Sequence, residues 1–495
     1  MMIGWRDGDG ASHNGSLFAT FAALARGEAW SFPALRPHQR EPWHAFTVQV
    51  AALALINAER DDLPGDEAAW RDLLNALTPD CPEAWMLVVD DWTKPALLQP
   101  PLVAATDRAA YKNRLPTPDA LDMLVTAKNH DVKQERMAQG QEQEWLFALV
   151  TLQTSSAYGG AKTYGSSRMN GKTGSRLIAR IFPSGGAAAA FRRDTHILVQ
   201  AAAGEASKKA LLWLESNDGT SSLSIKDLAP SLYVDTARRI RISNTRGKLE
   251  AYYATSNVAR IAADLVSGLT GDPWAPVKET GDASITPKQE TFGYRGFARV
   301  LKSKLPLLAQ THVSDDVTQL SISMAALVRR GGTDTNTEGL HRREVRLTRL
   351  EQLGNEESAA LDRVGEVAQK RAGEASEAGR RLRRALIALV QGGPDQARLD
   401  DEAAKKKTEP WLKRFDKVVD DEFFDAPFWS EAAHDEGNHR MVWRTRLGAI
   451  ASAVFDDAAR AAPRTEVRRI RAHARARALL DGQMVKWMNE VLYGE

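Results

Sequence analysis

The sequence is poor in cysteine: Cys81 is the single one among 495 residues. One thiol excludes a disulfide framework and a cysteine-based zinc site, and it fits a reducing compartment. Long hydrophobic runs are also missing. Val48 to Ile56 and Trp145 to Leu152 fall far short of the roughly 20 apolar residues that span a bilayer. The opening MMIGWRDGDGASHNG has no basic stretch followed by an apolar one, so no secretory leader is expected. The chain reads as cytoplasmic, with no membrane partner. Net charge is almost absent too, with 66 Lys+Arg against 64 Asp+Glu. Averaged over the whole chain, that balance argues against a nucleic-acid binder.

What is present is an ordinary folding composition, 43% hydrophobic and 26% charged, with length enough for two to four domains at about 100–200 residues each. Phe46 to Arg60 is Ala/Leu-rich and apolar on most faces, which predicts a buried helix. Strand-like runs are Trp85 to Val89, His196 to Ala201, Ser222 to Ile225 and Gln319 to Val328, the last weakly alternating. Trp145 to Gln153 is apolar, and Gly185 to Phe191 reads as a loop or helix start. The character changes near Gly354. From Asn355 to Val390 there is no proline and no aromatic residue, and apolar residues recur at helical spacing. Gly392, Gly393 and Pro394 then supply a stop. Trp411 to Trp429 reads as a second helix with an aromatic seam, Arg440 to Arg460 as a third, and Thr465 to Tyr493 as a fourth. The expected architecture is α+β: a mixed α/β body over 1–352, then a four-helix bundle over 353–495.

Local charge departs from the average. Between Trp145 and Arg193 there is no Asp or Glu, while Lys162, Arg168, Lys172, Arg176, Arg180, Arg192 and Arg193 fall inside the window. At this chain's acid content about six acids belong there. The centre, from Ala157 to Arg176, is rich in glycine, hydroxyls and cations. Glycine lets a backbone approach a ligand, Lys and Arg neutralise phosphate, and Tyr158 and Tyr164 offer rings for stacking. A second basic loop, Arg329 to Arg343, carries Thr335, Asn336 and Thr337 at its tip, small polar residues suited to base edges or to wedging between bases. A third patch, Arg464 to Arg477, places Arg464, Arg468, Arg471 and Arg475 roughly on one helical face.

Enzymatic constellations are weak. Gly171-Lys172-Thr173 resembles the tail of a phosphate-binding loop, but Ser166 stands where the first glycine is needed. His130-Asp131 is a metal-phosphohydrolase doublet without identifiable further ligands. His434 and His439 are five apart and do not share a helical face as an i, i+4 pair does. No Gly-x-Ser-x-Gly elbow is present, and Cys81 has no partner. No catalytic residue, metal or cofactor is expected. A nucleotide or metal-dependent phosphohydrolase and a non-catalytic scaffold are the rival readings.

Several stretches together resemble one family. They are Arg36-Pro-His-Gln-Arg40, Trp43-His-Ala-Phe46, Leu98-Gln-Pro-Pro101, Leu124-Val-Thr-Ala-Lys-Asn-His-Asp131 and Tyr158-Gly159-Gly160. Further ones are Arg168-Met-Asn-Gly171, Thr270-Gly-Asp-Pro-Trp274, Gly331-Gly332 and Leu340-His-Arg-Arg343. Their order and spacing, from about residue 30 to 480, are similar to CasA, the large subunit of the type I-E CRISPR Cascade surveillance complex. The resemblance implies a non-enzymatic reader of the protospacer-adjacent motif (PAM) that works from the minor groove of target DNA. It places a glycine loop at Gly159, Gly160, Ala161 and Lys162, with Arg168 beyond it. It places a strand-separating wedge at Gly332, Thr335, Asn336 and Thr337. A loop carrying Lys128, Asn129, His130 and Lys133 would meet the crRNA end and the PAM. Implied partners are double-stranded target DNA, crRNA, the other Cascade subunits and a helicase-nuclease effector. An additional lysine finger of some members has three candidate positions here: Lys248, Arg260 and Lys278. The Cys-rich insert of some members is missing, and so is the glutamine some carry at the wedge tip.

Overall fold

The computed structural model describes residues 1–122, 140–160, 162–171, 174–205, 207–304, 320–329, 337–346, 357–393, 397–433, 438–461 and 466–493. The chain divides into two compact units, Met1–Phe292 with Ser303–Thr348, and Gly293–Lys302 with Arg349–Glu495. The α+β class holds, with strands in the first unit and helices in both.

The first unit opens with a hairpin, β1 (Ile3–Arg6) and β2 (Ser12–Gly15), followed by helices α1 (Leu17–Arg26), α2 (Arg40–Asn57) and α3 (Glu67–Ala76). Ser16 caps α1 by accepting from the Ala19 amide, and Gly27 ends it in the left-handed region. Fifteen consecutive residues of α2, Glu41 to Leu55, are buried, as an apolar-all-round sequence requires. Beyond come β3 (Asn113–Leu115), α4 (Pro118–Leu121), α5 (Glu142–Ser155), β4 (Ile178–Pro183) and α6 (Gly186–Ala202). Trp43, Phe147 and Phe32 meet edge to face within 4.9–6.5 Å at the centre of this core.

Short strands complete the unit: β5 (Leu223–Ser224), β6 (Arg239–Thr245), β7 (Lys248–Ala254) and β8 (Ile261–Ala262). The chain then contributes helix α7 (Tyr294–Lys302) to the second unit before returning as β9 (Leu320–Arg329) and β10 (Thr337–Arg346). The strands form a β10-β9-β4 sheet, a β3-β7-β6 sheet and a parallel β5-β8 pair. Two strand expectations fail. His196 to Ala201 lies inside α6, where Phe191, Asp194, Thr195, Leu198 and Ala202 are buried at helical spacing behind an alanine-rich start. Trp85 to Val89 forms no strand: Trp85 ends a 3-10 turn over Pro82–Trp85, and the exposed Met86 and the residues after it join no sheet.

The second unit packs four long helices: α8 (Glu357–Gln391), α9 (Glu402–Glu422), α11 (His439–Ala461) and α12 (Glu466–Tyr493), with short α10 (Ala426–Ala433) and α7 beside them. The helix expected at Trp411 to Trp429 is in fact two. α9 starts earlier, capped by Asp401, and the chain breaks after Glu422 before α10. The aromatic seam is real: Phe423, Phe424, Phe428, Trp429 and Trp443 interlock at ring separations of 4.8–6.0 Å. Arg371 is buried among them, 4.7 Å from the Trp443 ring, and donates to Glu431 at 2.7 Å.

Candidate nucleic-acid interface

The glycine-rich segment after α5 folds into a narrow pinned loop. Its neck is closed where the Ser166 amide donates to the Ser156 carbonyl at 2.8 Å. Gly165 makes that approach possible, since a Cβ there would stand 2.7–2.9 Å from the Ser156, Ala157 and Tyr158 backbone. At the tip, Gly159 N donates to Thr163 O at 2.8 Å and Thr163 N donates to Gly160 O at 3.1 Å. Gly160 has φ +113°, a region closed to other residues, and no atom lies within 4 Å of where its Cβ would be. A bare backbone therefore faces open space. Lys162, exposed and at φ +63°, follows it. Tyr158 and Tyr164 meet edge-on at 6.1 Å beside the tip rather than lying open for stacking.

Arg168 is a correction. It is 1% exposed, lies 3.6 Å over the Tyr233 ring, and donates to Pro230 O and Tyr233 O at 3.0 and 2.7 Å. A guanidinium spent on buried carbonyls fastens the loop's return path and is closed to DNA. Ser166 and Ser167 help by donating to Asp235. Burial pushes the Asp235 carboxyl up, against those hydrogen bonds.

Most of the acid-free window is likewise internal. Arg176 is buried on Asp272, with both side chains 1% exposed. Arg180 donates to buried Glu41 at 2.6 Å, and Arg193 pairs with buried Asp194. Burial opposes the Glu41 carboxylate, yet Arg180 and Arg342 outweigh it and hold it below the usual carboxylate range. His44, 2.7 Å from Asp194, is pushed below its ordinary value by burial and by Arg180 against the pull of that carboxylate. Among the described residues, Lys162 is the cation exposed on the loop itself, and Arg192 is exposed on α6.

The return path then joins the sheet. Gly174 bridges to Val328, and the Ser175 amide donates to Leu327 O at 2.8 Å. A Cβ on Gly174 would meet that same Leu327 oxygen at 2.9 Å. β9 thus carries the glycine segment's end to the last residues before positions 330–336. Another anchor is built by Arg36-Pro-His-Gln39. His38 Nε2 and Gln39 Nε2 donate to buried Asp122 at 2.7 and 2.8 Å, and Arg36 pairs with Asp119. Asp122 is the last described residue before positions 123–139. On the other side Gly140 lies so close to Pro118 that a Cβ would come within 2.2 Å of it. Asp122, Leu327, Gly159, Lys162 and Ile240 all line one cavity of about 320 Å³. The structure therefore gathers the bases of the three expected loops around one opening.

Of the expected site residues, Gly159, Gly160 and Lys162 sit at the loop tip, and Thr337 opens β10 opposite Arg329. Ala161, Lys128, Asn129, His130, Lys133, Gly332, Thr335 and Asn336 lie outside the described residues. Among the finger candidates, Arg260 is buried and donates to the Leu212, Glu215 and Ser216 carbonyls, so it is removed. Lys278 faces Asp282 at 3.8 Å, and Lys248 starts β7 after the Arg246-Gly247 turn. The phosphate-binding-loop alternative loses its frame. Gly171 leads into strand β4, where that motif needs a helix N-terminus. Among the described residues no group of three or more His, Cys, Asp or Glu could hold a metal, and no helix is long and apolar enough to cross a membrane. Sequence reasoning missed the clamp on Asp119 and Asp122. Its signal was there in Arg36-Pro-His-Gln39, but the partners lie more than 80 residues away.

Comparisons with known proteins bear on the fold. No protein-family model matches the chain, and no curated protein does. Solved structures match over nearly the whole length. CasA from Thermus thermophilus shares 14% identity with a TM-score of 0.62, covering 98% of both chains. The CRISPR-associated protein Cse1 from Acidimicrobium ferrooxidans shares 14% at a TM-score of 0.61, covering 99% of this chain and 97% of that one. A chain of a CRISPR RNA-guided surveillance complex shares 15% at 0.59, covering 97% and 98%.

Proposed function

From a fold shared end to end with CasA and Cse1 proteins, we propose that this chain is the PAM-recognising large subunit of a type I-E CRISPR surveillance complex. In this reading it is not an enzyme. It docks among the other Cascade subunits and the crRNA in the cytoplasm, reads the PAM duplex from the minor groove and opens the first base pairs. It then helps recruit the helicase-nuclease effector. The observation that carries the reading is Gly160, a positive-φ residue with open space over its Cα, presented on a loop pinned at its neck.

The chemistry follows from that geometry. A minor groove about 6 Å wide admits bare backbone more readily than a side chain, and its code is degenerate, so several related PAMs are expected to pass. Lys162 beside the tip neutralises phosphate without reading sequence. Strand opening costs a few kcal/mol per unstacked step, and in this reading the wedge residues Thr335, Asn336 and Thr337 offset it. Guide pairing then supplies sequence specificity.

The test is PAM-dependent binding by the assembled complex. Gly160→Val puts a Cβ and two methyls into the groove and forces a branched residue to positive φ. Affinity for a PAM-bearing duplex should fall at least about tenfold, because the side chain bars the backbone's approach and the loop tip, free to relax, gives up its positive-φ geometry. Assembly and thermal unfolding should hold. Unchanged PAM dependence in a complex that assembles would refute the reading.

A further inference from the structure

Asn257 stands beside the glycine loop with both backbone polar groups bonded and an exposed side chain. The Ser256 amide donates to Lys162 O at 3.1 Å, and the Tyr164 hydroxyl donates to Asn257 O at 2.7 Å. From behind, the Asn257 amide donates to Gly219 O at 2.7 Å, and Arg239 Nη1 donates to Thr255 O at 3.0 Å. Both backbone polar groups of Asn257 are satisfied, so its position relative to Lys162 is rigid. Its side chain is exposed and has no hydrogen-bond partner among the described residues. Asp218, the nearby acid, is turned into its own loop. It accepts from Thr220 and Ser221, and these bonds hold its carboxyl far below the usual range.

We infer that Asn257 is a second base-contacting residue, a specificity-determining one, whose side-chain amide reads the minor-groove edge next to the pair that Gly160 approaches. This rests on the PAM-reading function proposed above and adds a residue to it. The amide suits that place because its NH₂ donates to the A N3 and T O2 acceptors, while its oxygen accepts from the G N2 amino group. A reader whose backbone is already fixed loses little entropy on binding. Its chain neighbour Ser256 makes the Lys162 contact and Tyr164 holds its carbonyl, so Asn257 is carried on the same frame as the loop tip.

The experiment measures affinity of the assembled complex for a panel of duplexes with each PAM position varied, and for a duplex without a PAM. Asn257→Ala should lower affinity for the preferred PAM about fivefold to tenfold, the scale of one hydrogen-bonded contact, and flatten discrimination at one base pair. Affinity for the PAM-less duplex should change less than about twofold, because phosphate contacts dominate there. Asn257→Asp should lose at least as much as Asn257→Ala, since it keeps the shape but removes the donor. Thermal unfolding should not move in either variant. If Asn257→Ala leaves the panel unchanged while Gly160→Val abolishes PAM dependence, the assignment of Asn257 is wrong and the PAM-reading function stands. An equal loss on both duplexes makes Asn257 a phosphate contact and also overturns the inference. If neither variant alters PAM dependence, the function itself fails.

Discussion

Asp272→Asn is the substitution whose consequence is most directly fixed by the structure. Asp272 accepts both the Nε and the Nη2 protons of Arg176 and, at 3.0 Å, the Trp274 amide. Both side chains of the pair are 1% exposed, and the Arg176 guanidinium lies 5.2 Å from the Trp274 ring. Burial works against the carboxylate. Arg176, Arg168 and the hydrogen bonds outweigh it and hold Asp272 below the ordinary carboxylate range. Removing that charge strands a buried guanidinium, which costs about 3–5 kcal/mol. An unfolding entropy of roughly 2.1 cal/mol/K per residue over a unit of about 340 residues gives ~0.7 kcal/mol/K. The transition of that unit should therefore drop about 4–7 °C, read by calorimetry that resolves the two units. Arg176→Met with Asp272→Leu should recover much of the loss, because well-packed apolar replacements of buried pairs are often neutral or better. The pH dependence has a fixed sign. With the folded-state pKa depressed, the stabilisation is complete above about pH 4, the unfolded carboxyl's range, and fades as pH falls through the folded value. The variant should lack this acid-side loss. A drop of less than about 1 °C, or an unchanged acid limb, would refute the reading of Arg176–Asp272 as a stabilising buried pair.

Arg168→Ala should destabilise the first unit by about 2–4 kcal/mol, since it leaves two buried carbonyls and an aromatic face without their cation. The salt dependence of DNA binding should stay the same, and a change in slope with the fold intact would return Arg168 to the interface. Lys162→Ala should do the opposite, leaving stability unchanged and lowering the slope of log affinity against log salt by about one. An unchanged slope would exclude Lys162 from the phosphates. Gly165→Ala should loosen the loop neck at a cost of about 1–3 kcal/mol, because the atoms in its way are backbone. Hydrogen exchange at the Ser166 amide should quicken, and unaltered protection would show that the neck relaxes.

Much of the helical architecture was legible. An apolar-all-round stretch gave buried α2, and 3.6-residue periodicity with glycine stops gave α8. Short runs divided: Gln319 to Val328 became β9 and Ser222 to Ile225 holds β5, while two others failed, because a few consecutive apolar residues carry no period of their own. His196 to Ala201 went to a helix through the alanines before it, and Trp85 to Val89 stayed outside any sheet for want of a neighbouring strand. The helix at Tyr294–Lys302 joins the second unit, with the Tyr294 amide donating to Asp420 at 2.6 Å, and local sequence holds no sign of that partner. At the site, the glycine tip was legible because positive φ and close approach select one residue type. The Arg36-Pro-His-Gln39 motif was visible as a pattern, but its work on Asp119 and Asp122 was not.

The sequence by itself determined that no disulfide framework or cysteine-bound zinc forms, that a long aromatic-free helix opens the C-terminal region, and that a glycine-rich loop follows a buried helix. Each follows from composition or local spacing. It also offered seven cations in a window without acids, and there only the tertiary structure could decide. Asp272, Glu41 and Asp194 come to Arg176, Arg180 and Arg193, and two of the three pairs span about a hundred residues or more. Arg168 goes to buried carbonyls. Charge in a sequence window is a local count, whereas whether a cation faces solvent or a buried carboxylate is set by packing across the chain. Among the described residues of the basic loop, the fold leaves Gly159, Lys162 and Gly171 exposed, and it brings Asn257 up beside the tip.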